Sequence, residues 1–167
     1  MNERQKRLNE LNRINERRKI PIIHSEKEYQ DFIDKSLAER SEDTQRVNIG
    51  KTTIEARKHI EDVYGKSVSN IDIDNTGIIH TFDKKEHNLE PDDLIHAVDV
   101  INTPNTISLS EKKHQGCDVL VFKKDINGEL DVLAEIHSLK DYLLIFNAMR
   151  KNKVRKRPDA ALEAPRN

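Results

Sequence analysis

An α+β fold, with N-terminal helices packed on one face of a three- to four-stranded antiparallel β-sheet, is what this sequence predicts. Three observations carry that prediction. Apolar residues recur at helical spacing through most of residues 25–101, whereas from Thr106 onward they alternate with polar ones or run in short blocks. Asn127-Gly128, flanked by two such blocks, is the strongest short hairpin signal a sequence offers. The order, helices first and a strand meander after, completes the layout.

The elements follow in chain order. Leu8, Leu11 and Ile14 sit at three-residue spacing amid charge and predict a helix with a thin apolar stripe. "IPII" (20–23) is a short extended piece. Ser25, with Glu28 three residues on, forms a capping box opening a helix through Tyr29, Phe32, Ile33 and Leu37. The polar run "RSEDTQR" (40–46) reads as a linker, so residues 1–45 are expected to form a helical extension and 46–152 the main domain. Thr52 or Thr53 caps a helix that stops at Gly65. "SVSNIDID" (67–74) alternates as a short strand. Asn75 or Thr76 then caps a helix carrying Ile78, Ile79, Phe82 and Leu89. Pro91, followed by two acids, opens another helix, through Ile101. "TISLSE" (106–111), "CDVLVFKK" (117–124) and "ELDVLAEIHS" (129–138) read as strands. "DYLLIFNAMRK" (141–151) suits a helix or a third pairing strand, and the strand is preferred after an Asn-Gly hairpin. Residues 153–167, with two prolines and several charges, are expected to be a flexible basic tail.

Composition bounds the class. At 167 residues, 35% hydrophobic and 35% charged, the chain suits one small core with tails. No apolar run approaches the length of a spanning helix, and the N-terminus lacks the apolar stretch of a secretion signal. A single cysteine, Cys117, excludes an internal disulfide framework and fits a reducing compartment, so a cytoplasmic protein is expected. The net charge of −1 is unevenly spread: residues 1–20 and 151–167 each carry +4, leaving −9 for residues 21–150. Basic ends can tether a polyanion, or simply keep the chain soluble.

Two familiar motifs fail. "VNIGKTT" ends like a phosphate-binding loop, but the glycine required five residues before Gly50 is Gln45. His114 and Cys117 have metal-ligand spacing without a second pair, so neither metal nor cofactor is expected; Cys117 reads as a small core residue and His114 as an exposed turn residue.

His80 and His87, in "NTGIIHTFDKKEHN", are seven residues apart. On one helix they would point the same way, about 10 Å apart along the axis, at the border of core and water. Half-buried histidines there are commonly structural, but a partly shielded pair can also transfer protons or bind phosphate.

The run "IDIDNTGIIHTFDKKEHN", followed in order by "VDVINTPNTISLSE", "CDVLVFKKDINGELDVLAEIHS" and "LLIFNAMRK", resembles the phage-associated nucleases of the barnase–EndoU–colicin–RelE (BECR) class. The tail "RPDAALEAPRN" is similar to endings common there, and the resemblance covers about residues 65–167. It implies a metal-independent endoribonuclease encoded by a phage or prophage, toxin-like, with RNA as partner. A base activates the ribose 2′-hydroxyl for attack on its own phosphodiester, an acid protonates the leaving 5′-oxygen, and a cation stabilises the phosphorane. By motif position His80 is the first catalytic candidate and His87 the second. Glu135 is the base or orienting carboxylate, or else a surface acid paired with a strand lysine. Arg150 is the phosphate clamp, or a solvated strand-end charge. Lys123 and Lys84 are substrate-binding candidates, Lys123 equally an edge-strand solubilising lysine. Where such nucleases often present Thr or Ser on the closing strand, Asn147 stands, and it has no hydroxyl. That departure and the acidic middle keep open a second expectation: a degenerate, non-cleaving module that binds nucleic acid or a phage structural or inhibitor protein.

Overall fold

A computed structural model describes residues 2–151. The expected tail, 153–167, and the ending that resembles the nuclease class lie outside them. The chain runs α1 (Glu3–Arg18), α2 (Glu26–Glu39), β1 (Arg46–Lys51), α3 (Ile54–Tyr64), β2 (Asn70–Asp74), α4 (Asn75–Asp83), a 3-10 turn (Lys85–His87), α5 (Pro91–Ile95), α6 (Ala97–Asn102), β3 (Thr106–Leu109), β4 (Asp118–Asp125), β5 (Glu129–Ile136) and β6 (Tyr142–Lys151). The α+β class holds.

The sheet is larger than expected and mixed. Its six strands are ordered β1-β2-β6-β5-β4-β3. The predicted meander β3 to β6 is antiparallel throughout, and β6 is the third pairing strand. The correction lies beyond β6, where β2 pairs with it in parallel, Asn70 opposite Tyr142 and Ile73 opposite Ile145. β1 then adds an antiparallel edge with a bulge between Asn48 and Gly50. The Gly50-Lys51-Thr52 sequence belongs to this strand and its exit. Lys51 Nζ donates to Asn70 Oδ1 at 2.6 Å, and the Thr52 hydroxyl donates to the Val68 carbonyl at 2.6 Å.

Local signals set most boundaries. Ser25 Oγ accepts from Glu28 N–H, Thr53 Oγ1 from Ala56 N–H, and Gly65 closes α3 at φ +82°. The cap of α4 is Asp74, one residue before the predicted pair: its Oδ1 accepts from Gly77 N–H at 2.7 Å. Asn127 and Gly128, at φ +56° and +106°, turn a three-residue loop between β4 and β5.

By strand alternation, Leu130, Val132, Ala134 and Ile136 of β5 share one sheet face with Leu120 and Phe122 of β4, Ile71 and Ile73 of β2, and Leu143, Ile145 and Ala148 of β6. All are buried in one core cluster with Tyr29 and Ile33 of α2, Ile60 of α3, Ile78 of α4, Leu94 of α5, and Val100 and Ile101 of α6. Thus α2, assigned by sequence to an N-terminal extension, fills part of the same core. No residue of α1 is buried; it is held through Arg17, whose guanidinium meets buried Asp72 at 2.5 and 3.1 Å, and through Glu16 with Lys140 at 3.5 Å.

Candidate functional site

The site begins with how β2 ends. β2 stops pairing with β6 at Ile73, while β6 runs on to Lys151. The chain turns there into α4, whose Gly77 lies so close to β6 that a Cβ would sit 3.1 Å from the Ile145 carbonyl oxygen and 3.3 Å from Phe146 Cα. This approach requires glycine. Opposite that point β6 bulges: Ile145 pairs with Ala134 but Asn147 pairs with Leu133, leaving Phe146 as the extra residue.

His114 reaches the bulge from the other side. His114 and Cys117 exchange both backbone hydrogen bonds at 2.9 Å, around Gln115 and Gly116 at φ +50° and +80°. Positive φ at both central residues makes this a type I′ turn, which twists as the flanking strands do. The His114 ring stacks on Phe146 with centroids 3.8 Å apart and planes 9° from parallel. Its Nδ1 donates to Glu135 Oε2 at 2.6 Å. The side chain of Glu135 is 13% exposed, so the contact is largely shielded from water. With Nδ1 engaged, the proton chemistry of the ring falls to Nε2.

Asp74, Thr76, Gly77, His80, His114, Gln115, Glu135, Leu144 and Phe146 line one cleft of about 320 Å³. That is the low end of ligand-pocket sizes, enough for one nucleotide-sized group. Burial lowers the His80 pKa below its ordinary value; Lys84, His87 and His114 push the same way, against an opposing pull from Asp83. That lowering favours the neutral imidazole, the form able to accept a proton. The same cleft is lined by a second imidazole, fixed by a carboxylate. The arrangement can take a proton from one atom of a bound group and deliver one to another.

Other predicted residues lie elsewhere. His87 does not share a helix with His80: α4 ends at Asp83, and His87 falls in the 3-10 turn, buried, with Nδ1 3.1 Å from the Thr81 carbonyl oxygen. Arg150 does not line this cleft. It is 6% exposed on the core face, where Nε and Nη2 donate to Asp93 Oδ1 at 3.1 and 2.6 Å, and Nη1 donates to the carbonyls of Ile126 and Gly128. Asn147 is not among the cleft residues; its Oδ1 accepts from the Thr81 hydroxyl and the Ala148 N–H. Lys123, 3.9 Å from both Glu129 and Asp131, shares the face of Glu135 but stands four residues along the strand pair. Lys84 is exposed just past α4, close enough for its charge to act on His80.

The sequence reading missed His114, which it took for an exposed turn residue. The available signal was Gly116, since a glycine between strand-like segments marks a tight turn that aligns its flanks. No group of three or more His, Cys, Asp or Glu side chains placed to hold a metal ion occurs among the described residues. A larger hollow of about 580 Å³ between the start of α2 and α6 includes His24, His96 and Asp99, the last held by Lys124 at 2.9 Å. No helix among those residues is long and apolar enough to cross a membrane. Comparison with protein-family models, curated proteins and solved structures finds no match.

Proposed function

We propose that the protein is an endoribonuclease acting by 2′-hydroxyl transesterification, with His80 and the His114–Glu135 pair as its working groups. The observation that carries this reading is that His80 and a carboxylate-held His114 line one nucleotide-sized cleft. Neutral His80 takes the proton of the ribose 2′-hydroxyl, whose oxygen attacks the adjacent phosphorus. His114 gives a proton from Nε2 to the departing 5′-oxygen. The P–O5′ bond breaks, and a 2′,3′-cyclic phosphate and a 5′-hydroxyl result. Glu135 fixes the His114 ring through Nδ1, as the acid does in a catalytic triad. Lys84 takes the charge-stabilising role that the sequence assigned to Arg150. The resemblance to phage-associated nucleases points to the same reaction without a metal, and to a phage or prophage origin.

One observation favours the non-cleaving alternative. Asp74 adds a carboxylate to the cleft, and the best-placed guanidinium, Arg150, is consumed by Asp93. A phosphate would then meet two carboxylates and one exposed lysine. Incubation of mixed RNA with the protein in EDTA separates the two readings. Fragments ending in 2′,3′-cyclic phosphate support the nuclease, and intact RNA at high protein concentration rejects it.

A further inference from the structure

Gln115 occupies a costly position. It is the first central residue of the type I′ turn, where φ +50° suits Asn, Asp or Gly and strains a longer side chain. The β4–β5 hairpin also has two left-handed residues in its turn, and there Asn127 precedes Gly128. Asn127 lines no catalytic cleft, and there the chain uses the favoured residue. At Gln115 it does not, and Gln115 lines the His80–His114 cleft. Its side chain is exposed at that rim, adjacent in sequence to the imidazole that stacks on Phe146.

We propose that Gln115 sets the base preference of this site, its amide meeting the donor–acceptor edge of a nucleobase seated beside the scissile phosphate. The inference rests on the nuclease reading above. An amide offers one donor and one acceptor side by side, which adenine meets in two parallel hydrogen bonds through N6 and N7. Adenine is therefore the preferred base. Phe146 cannot supply this selectivity: one ring face is covered by His114, and stacking accepts every base.

The test uses Gln115→Asn and Gln115→Gly. Both suit the turn, so each is expected to fold with a Tm at or above that of the parent protein. Cleavage of an RNA with all four bases at the scissile position, and binding of short single-stranded A, C and U oligomers, are measured for all three proteins. The parent protein is expected to favour adenine about tenfold. Gln115→Gly, which removes the amide, is expected to lose that preference as cleavage at adenine falls towards that at the other bases. Gln115→Asn, with the same amide on a shorter stem, is expected to keep part of it. Unchanged base preference in Gln115→Gly overturns the proposal, whatever the stability does. If the parent protein cleaves nothing but binds the A oligomer in a Gln115-dependent way, the nuclease reading fails and the recognition role of Gln115 stands. If it neither cleaves nor discriminates among oligomers, both fail.

Discussion

At the scale of single residues, the groups proposed to do chemistry are distinct from the groups that hold the fold. His80 and His114 should be the former: replacing either by Ala is expected to lower RNA cleavage by about 10²–10⁴-fold. The acid limb of the cleavage rate should report His80. As pH falls, a neutral base is lost on protonation, and the lowered His80 pKa puts that loss below the ordinary histidine value of about 6.5. Lys84→Ala removes one cause of the lowering, so the limb should move to higher pH in a pH–rate profile. Arg150 and Asp93 belong to the fold. Asp93→Ala leaves a nearly fully buried guanidinium without its partner and should cost about 3–5 kcal/mol in denaturant unfolding, leaving the chemistry of the cleft unchanged in the folded fraction.

At the scale of elements, the bulge at Phe146 shapes the cleft and sets the face on which Arg150 lies. Counting by twos from buried Leu143 puts Arg150 on the same face as Leu144 and Glu135, which is where a phosphate clamp would stand. The extra residue at Phe146 reverses that parity, sends Arg150 to the core face and presents the Phe146 ring to His114. Nothing in "LLIFNAMRK" marks a bulge, because its cause is the long-range fit of β6 against β5 and α4. Locally encoded features were legible: the Ser25 and Thr53 caps, Gly65 as a stop, the Asn127-Gly128 turn and three strands around it. The parallel pairing of β2 with β6 joins residues about seventy apart, and no local pattern records it. His80 and Glu135 were readable as candidates, whereas the contact of His114 with Glu135 joins residues twenty-one apart that no local pattern links. Phe146→Ala should therefore weaken cleavage by loosening the His114 ring, with Glu135→Gln doing the same from the other side. Comparing kcat with Tm for each variant checks that the loss exceeds any loss of fold.

At the scale of the whole molecule, charge decides how a polyanion would approach. Residues 21–150 carry −9, while both ends are basic. RNA affinity should therefore depend on the ends and weaken steeply with salt. A chain ending at Lys151 loses five Lys/Arg and two acids, and should bind single-stranded RNA more weakly than the full chain. Its log–log salt slope should fall by about 0.7 for each phosphate contact removed, measured by fluorescence anisotropy across a salt series. The cleavage rate at saturating RNA should hardly change, since the cleft lies in the described body.

The most direct measurement of the central claim is single-turnover cleavage of a defined RNA in EDTA by the parent protein, His80→Ala and His114→Ala, with Tm recorded for each. The account predicts 2′,3′-cyclic phosphate ends from the parent protein and a loss of at least about a hundredfold in both variants at nearly unchanged Tm. Cleavage by His114→Ala at the parent rate would contradict it.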